Sequence, residues 1–184
     1  MNTQKEIFIS VDVEASGPIP GEYSLLSVGA CVVKDPALRF YIEVQPISEK
    51  AIPEALAITG FSLSELKKRG KSPETAMQEF AIWIKANSGS GIPIFVGFNA
   101  CFDWSYVNWY FHRFLGRNPF GIGGIDIKAY YMGHSHSSWS DTTSSHLPLD
   151  LQSKTPHTHN ALEDAIAQGE VFRKLLDMKS EAGQ

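Results

Sequence analysis

Four acidic side chains and one histidine stand apart by type and spacing. Asp12 and Glu14 lie in IFISVDVEASG, Asp103 in VGFNACFDWSYV, and His159 and Asp164 in HNALEDA. Carboxylates without thiolates are hard oxygen ligands, suited to magnesium or manganese rather than zinc. Two such ions about 3.5–4 Å apart can activate an attacking water and steady the leaving oxygen of an in-line displacement, the chemistry of phosphodiester hydrolysis. Asp12 is expected to bridge the ions, Glu14 and Asp164 to complete the ion on the nucleophile side, and Asp103 to support the other, directly or through water. Imidazole ordinarily titrates near neutral pH, so a histidine at position 159 suits a general base that takes the water's proton.

The elements that must position these groups are legible around them. From Ile7 to Val13 the odd positions are Ile, Ile, Val and Val, while the even positions turn from Phe8 and Ser10 to Asp12 and Glu14. Such alternation predicts a strand with one apolar face and one face that becomes acidic. Asp12 and Glu14 then leave the same face about 6–7 Å apart at the backbone, and they repel unless a cation sits between them. An acidic strand end turned to water would read similarly, but Val11 and Val13 suit a central strand, and Ala15-Ser16-Gly17 permits close approach afterwards. Asp103 falls in the first turn of a helix over 102–115, on the side of Val107, Tyr110, Phe111 and Phe114. An acid there can simply complement the helix dipole, but on an aromatic face it needs a partner. Asn99 fits that helix's N-cap. Asn160 fits the cap of a last helix over 161–178, with Glu163 reaching back to complete a capping box.

Two further strands are predicted over 26–33 and 39–44, separated by a turn around Asp35-Pro36, and then strands over 92–98 and 123–127. Ser62 to Glu65 has the form of a capping box opening a short helix that ends near Gly70, and Ser72-Pro73 opens another carrying Met77, Phe80, Ala81 and Ile84. Three strands followed by alternating helix and strand make an α/β mixed sheet, an antiparallel meander and then parallel strands, flanked by helices. One domain spans residues 1–180. Residues 133–158, rich in Ser, Thr and His and broken by Pro148 and Pro156, form a mobile loop within it, with a short helical piece near 147–151.

Composition narrows the function. A formal net charge of -4 argues against coating long nucleic acid through phosphate neutralisation, though not against gripping a few terminal nucleotides through bound cations. Two cysteines make no disulfide framework, and Cys101 reads as a small buried residue. The opening run MNTQKEIFISVD has no signal-peptide pattern and no apolar run approaches membrane-spanning length, so a cytoplasmic setting without membrane contact is expected.

As they stand, the three blocks resemble the DEDDh 3′–5′ exonucleases, the group of polymerase proofreading subunits, ribonuclease T and oligoribonuclease. Asp12-x-Glu14 matches the first block, Asn99-x-x-Phe102-Asp103 the second, and His159-x4-Asp164 the third; His157 sits two residues too early for that spacing. LSVGACVV and Ala57-Ile58-Thr59-Gly60 extend the likeness from about Ile7 to Leu176. The resemblance implies a ribonuclease H-like fold, two Mg²⁺ or Mn²⁺ ions, and release of nucleoside 5′-monophosphates from single-stranded or 3′-terminal DNA or RNA. It leaves a homodimer and a polymerase partner open. Many relatives carry Thr-Gly-Leu after the glutamate, the leucine wedging under the terminal base. Here the run is Ala15-Ser16-Gly17-Pro18, which makes Ser16, Gly17 and Pro18, together with Asn99 and Phe102, the candidate substrate contacts, with Pro18 or Ile19 in the wedge's place.

Other features have plainer readings. Most of Trp104, Tyr106, Trp109 and Tyr110 belong to a core, Trp104 or Phe102 being the better candidates for a cleft. The basic run Lys67 to Lys71 reads as a solvated helix end, Asp126 as a cap, and His134, His136 and His146 as loop residues. Two alternatives stand beside exonuclease chemistry: a module of the same fold that binds nucleic acid without turnover, and a hydrolase of small phosphodiesters or nucleotides.

Overall fold

The strand Glu6–Ala15 (β1) organises the molecule. In the computed structural model, which describes residues 4–155 and 157–178, Ile9, Val11 and Val13 of β1 are buried on one face. Residues 1–3, Pro156 and residues 179–180, which the expected loop and domain boundaries include, lie outside the described residues. The antiparallel neighbour of β1, Leu25–Val32 (β2), is buried along its whole length, and Asp35–Glu43 (β3) completes the meander. The turn between them falls at Val33–Lys34, just ahead of Asp35-Pro36, because Val32 already pairs with Asp35. On the other side of β1 lie the parallel strands Ile92–Gly97 (β4) and Gly124–Asp126 (β5), giving the order β3-β2-β1-β4-β5.

Two short helices, Pro53–Thr59 (α1) and Leu63–Arg69 (α2), follow the meander. The capping box expected at Ser62 does not form: its hydroxyl meets the Ser64 hydroxyl at 2.9 Å and bonds no backbone N–H. The basic run beside it is spent on surface ion pairs, Lys67 with Glu49, Arg69 with Glu43 and Lys71 with Glu79. Pro73–Ser88 (α3) begins as the sequence predicts, with the Ser72 hydroxyl accepting from the Thr75 N–H.

Period-two alternation in β1 separates two cores. Its odd side chains meet Met77, Phe80 and Ile84 of α3 and Tyr106, Val107, Tyr110 and Phe111 of Cys101–Leu115 (α4). On the even side, Phe8 packs edge-on against Phe172 of the last helix, with ring centres 5.4 Å apart. That second core also takes Ile127 and Tyr131 from Ile127–Ser135 (α5), and Val171 and Leu175 from Ala161–Asp177 (α6). The segment 133–158 is more regular than its composition suggests. It starts within α5, includes a 3₁₀ turn at Trp139–Thr142, and pins buried Leu147 and Leu151 into the second core; the helical piece near 147–151 is a single turn closed on the Pro148 carbonyl.

Two features open and position the site. Pairing of β1 with β4 covers only Glu6 to Ser10, so the β4-facing edge of β1 runs on without a partner strand. Side chains take up that edge: Gln168 Nε2 donates to the Val11 carbonyl at 2.8 Å, and Asp103 Oδ1 accepts the Val13 N–H at 2.9 Å. The second feature is Gly29, which pairs with Asp12 across β1 and β2. A Cβ at Gly29 would lie 2.1–2.2 Å from the backbone of Ala161 and Leu162, so only glycine lets the first turn of α6 rest on the sheet beside the acids. Because the colliding atoms are backbone, Gly29→Ala is expected to cost about 1–3 kcal/mol in urea unfolding. It should also weaken manganese binding by calorimetry as α6 lifts; unchanged stability and affinity would show the contact to be slack.

Candidate active site

The site is built at the carboxyl end of β1, where the sheet splays. Asp12 and Glu14 share its even face with Ser10, turned toward α6. Asp164 comes from the first turn of α6, whose start is fixed by Asn160 Oδ1 accepting from the N–H groups of Leu162 and Glu163. Asp12, Glu14 and Asp164 each offer an oxygen, and these lie within 4.8 Å of one another. Asp103 arrives from the opposite face of the sheet, through the gap beyond the end of β4, and is 5% exposed. Its partner is the Val13 N–H, contributed from ninety residues away in sequence. Asp12, Glu14 and Asp103, with His157, His159, Asn99, Phe98 and Phe102, line one of two adjoining hollows; the other, about 440 Å³, shares Asp12, Phe98 and His157 with it, adds Asp164, and is floored by Leu147, Ala167, Gln168 and Val171.

Electrostatics follow from crowding and burial. Burial pushes the Glu14 carboxyl from an ordinary 4.5 up to about 8, with Asp164 and Asp103 adding repulsion. The Asp12 carboxyl is raised well above the usual range by burial first, then by Asp103, Glu14 and Asp164. Asp103 rises from 3.8 to about 7 through burial, partly offset by the Val13 N–H. Among the described residues no lysine or arginine forms an ion pair with any of the four. Asp164 Oδ1 accepts from the Thr158 N–H and faces His157 Nδ1 at 2.9 Å, while its buried Oδ2 has no hydrogen-bond partner among the described residues. Clustered, desolvated, oxygen-only groups with an unsatisfied lone pair fit hard divalent cations.

Several sequence expectations are corrected by the coordinates. Asn99 is not the cap of α4: Ala100 holds that place, Asn99 is in the left-handed region (φ 61°), and the Ala100 N–H donates to Asp126 Oδ2. Asp126 does cap α5, so it serves two elements at once. Glu163 does not reach back to Asn160; its carboxylate accepts from the Thr158 hydroxyl. Ser16 and Gly17 are buried inside the turn after β1 rather than presented to a substrate. The Ser16 hydroxyl donates to the Lys50 carbonyl and accepts from the Ser24 N–H, and the Gly17 carbonyl accepts from Tyr106. Pro18 and Ile19 are exposed and do not line either hollow. Trp104 packs edge-on against Phe95 in the core, so of the two it is Phe102 that lines the cleft, alongside Phe98. Cys101, expected buried, is exposed at the first position of α4.

Two residues were missed. Gln168 bridges the splayed strands, donating to Val11 and accepting from the Phe98 N–H at 2.6 Å. Its signal was position: one turn beyond Asp164, it is a polar residue on the buried side of α6. His157, set aside on spacing, lies within the cleft with its ring 4.3 Å from that of His159.

No protein-family model matches the chain. Solved structures share the architecture at low identity: a 3′-exonuclease described in recognition of the histone mRNA stem-loop (TM-score 0.74, 13% identical) and the cell-death related nuclease CRN-4 (0.71, 12%). Escherichia coli exonuclease I bound to a dT13 oligonucleotide gives 0.65 at 16%. The chain covers 66%, 65% and 42% of those three in turn, with 95–97% of itself matched, so it shares its fold with part of each of them. This is the ribonuclease H-like fold. At sequence level, a 3′–5′ DNA exonuclease, Cap18 of Escherichia coli, is 51% identical over 98% of this chain and 97% of its own length. The chain belongs to the DEDDh family of 3′–5′ exonucleases, and it is a nuclease.

Raised carboxyl pKa values have a thermodynamic consequence. Glu14 in the folded chain keeps its proton up to about 8, whereas an unfolded glutamate releases it near 4.5. Between those values the folded state binds more protons than the unfolded state, so stability is lost as pH rises. In chelator, the melting temperature should therefore fall from pH 5 to pH 8, and excess manganese at pH 8 should restore it. A flat profile in calorimetry would show that the acids are not desolvated as described.

Proposed function

We propose that the chain trims DNA from its 3′ end, hydrolysing the terminal phosphodiester and releasing nucleoside 5′-monophosphates. Carrying this reading is the convergence of Asp12, Glu14 and Asp164 within 4.8 Å, with buried Asp103 on the same cleft. The full-length likeness to a 3′–5′ DNA exonuclease supports DNA as the strand. Asp12, Glu14, Asp103 and Asp164 would hold two Mg²⁺ or Mn²⁺ ions, which when bound supply charge stabilisation at the attacking and leaving oxygens. Asp12 would be the ligand common to both, with Glu14 beside it on the strand and Asp164 opposite, and Asp103 would support the second ion while its Oδ1 holds the Val13 N–H.

His159 stands exposed at the cleft rim, one residue before the helix cap, in the left-handed region at φ 56°. From there its imidazole can accept the proton of the attacking water and pass it to solvent. Phe102, partly exposed in the cleft, offers a face for the terminal base, and Asn99 stands beside it. Gln168 keeps β1 and the turn after β4 apart at a fixed distance, and so holds the cleft open.

A time course on matched 5′-labelled DNA and RNA oligonucleotides with magnesium, then manganese, tests the reading. Progressive shortening of DNA is expected, with mononucleotides as product; strands that stay full length with both ions would overturn it. Asp12→Asn should bring trimming to background without unfolding the chain. His159→Ala should lose a factor of about 10²–10⁴ in rate while metal binding persists. An unchanged rate would remove His159 from the role of base.

A further inference from the structure

Asp164 belongs to two clusters at once. One is the carboxylate set with Asp12 and Glu14; the other is His157, His159 and Asp164, whose ligand atoms also lie within 4.8 Å of one another. The tripeptide His157-Thr158-His159 is bolted to α6 through its middle residue: the Thr158 N–H donates to Asp164 Oδ1 at 3.0 Å and its hydroxyl to Glu163 at 2.7 Å. That leaves the two imidazoles side by side and exposed, over a carboxylate that is 3% exposed and whose Oδ2 lacks a partner among the described residues. Ligand atoms around one tetrahedral zinc ion sit about 3.3 Å apart. Closing from the present spacing needs only rotation of two solvent-exposed rings. The donor chemistry differs in kind from the all-carboxylate set: two imidazoles and one carboxylate select zinc, and leave a coordination position for water or a phosphate oxygen.

We propose that His157, His159 and Asp164 form a zinc site that inhibits the enzyme. Zinc held there withdraws Asp164 from the magnesium or manganese set and occupies the imidazole of His159, so the resting and working ions exclude each other. Capture of zinc stands on the geometry alone; inhibition rests on the exonuclease reading.

The experiment uses the manganese-loaded protein on a 5′-labelled DNA strand, with free zinc set by a metal buffer, comparing the wild type with His157→Gln. Glutamine preserves a polar neighbour for Asp164 and removes a zinc ligand at an exposed position, and trimming by each protein is expressed relative to its own zinc-free rate, so a change in basal rate does not enter the comparison. The zinc concentration that halves trimming should rise by about tenfold or more in the variant, at least the effect of losing an outer hydrogen-bond partner of a metal ligand. Zinc-edge X-ray absorption on protein with one equivalent of zinc should show two imidazoles in the wild type and one in His157→Gln. Unchanged zinc sensitivity, or a wild-type shell with fewer than two imidazoles, would overturn the site. If manganese-loaded protein trims nothing, the exonuclease reading falls, while the absorption measurement still decides the zinc site on its own.

Discussion

Mutual repulsion among carboxylates that have been taken out of water is the constraint around which this molecule is arranged. Burial first, and then the charges of Asp164 and Asp103, raise Glu14 to about 8, and burial raises Asp103 to about 7. A charged group withdrawn from water without a counter-charge is among the costliest arrangements a fold can hold. Among the described residues, Asp103 is offered the Val13 N–H, Asp164 a backbone N–H and His157, and none of the four forms an ion pair with lysine or arginine. Tension of this kind is what gives a site high affinity for small, doubly charged cations, because binding removes repulsion as well as adding attraction.

The rest of the architecture serves to hold that tension in one place. β1 outruns β4, which strips its far edge of strand partners and opens a gap through the sheet. Gln168 and Asp103 take up the orphaned backbone groups, so the opening is stabilised rather than frayed. Asp103 can therefore act on the face of the sheet opposite its own helix. Gly29 brings α6 onto β2 at a distance no side chain would tolerate, and the first turn of α6 carries the last acid. Each device is local, and together they gather acids from three separate stretches of chain.

Much of this was legible in the sequence, for a physical reason. Asp12 and Glu14 break a period-two apolar pattern, Asp103 breaks a helical one, and Asn160 announces a helix start; these are violations of local rules, and such violations concentrate at working sites. Five strands and their sense also followed from pattern and spacing. What could not be read was which hydrogen bond each polar group finds. Ser62, Glu163 and Asn99 fit capping rules that depend on neighbours alone, yet each was claimed by, or yielded to, a partner the rule does not see. Ser16 and Gly17 looked like a substrate loop because small polar residues follow the glutamate, whereas contacts from Lys50, Ser24 and Tyr106 fold them inward. His157 was discounted on motif spacing, a criterion blind to a loop that doubles back over Asp164.

The acids reach the cleft from β1, α4 and α6, so the set spans residues 12 to 164. A growing polypeptide thus presents these acids on separate stretches, and only the docking of α6 brings Asp164 beside Asp12 and Glu14. The cluster of acids is complete only once α6 has docked on the sheet.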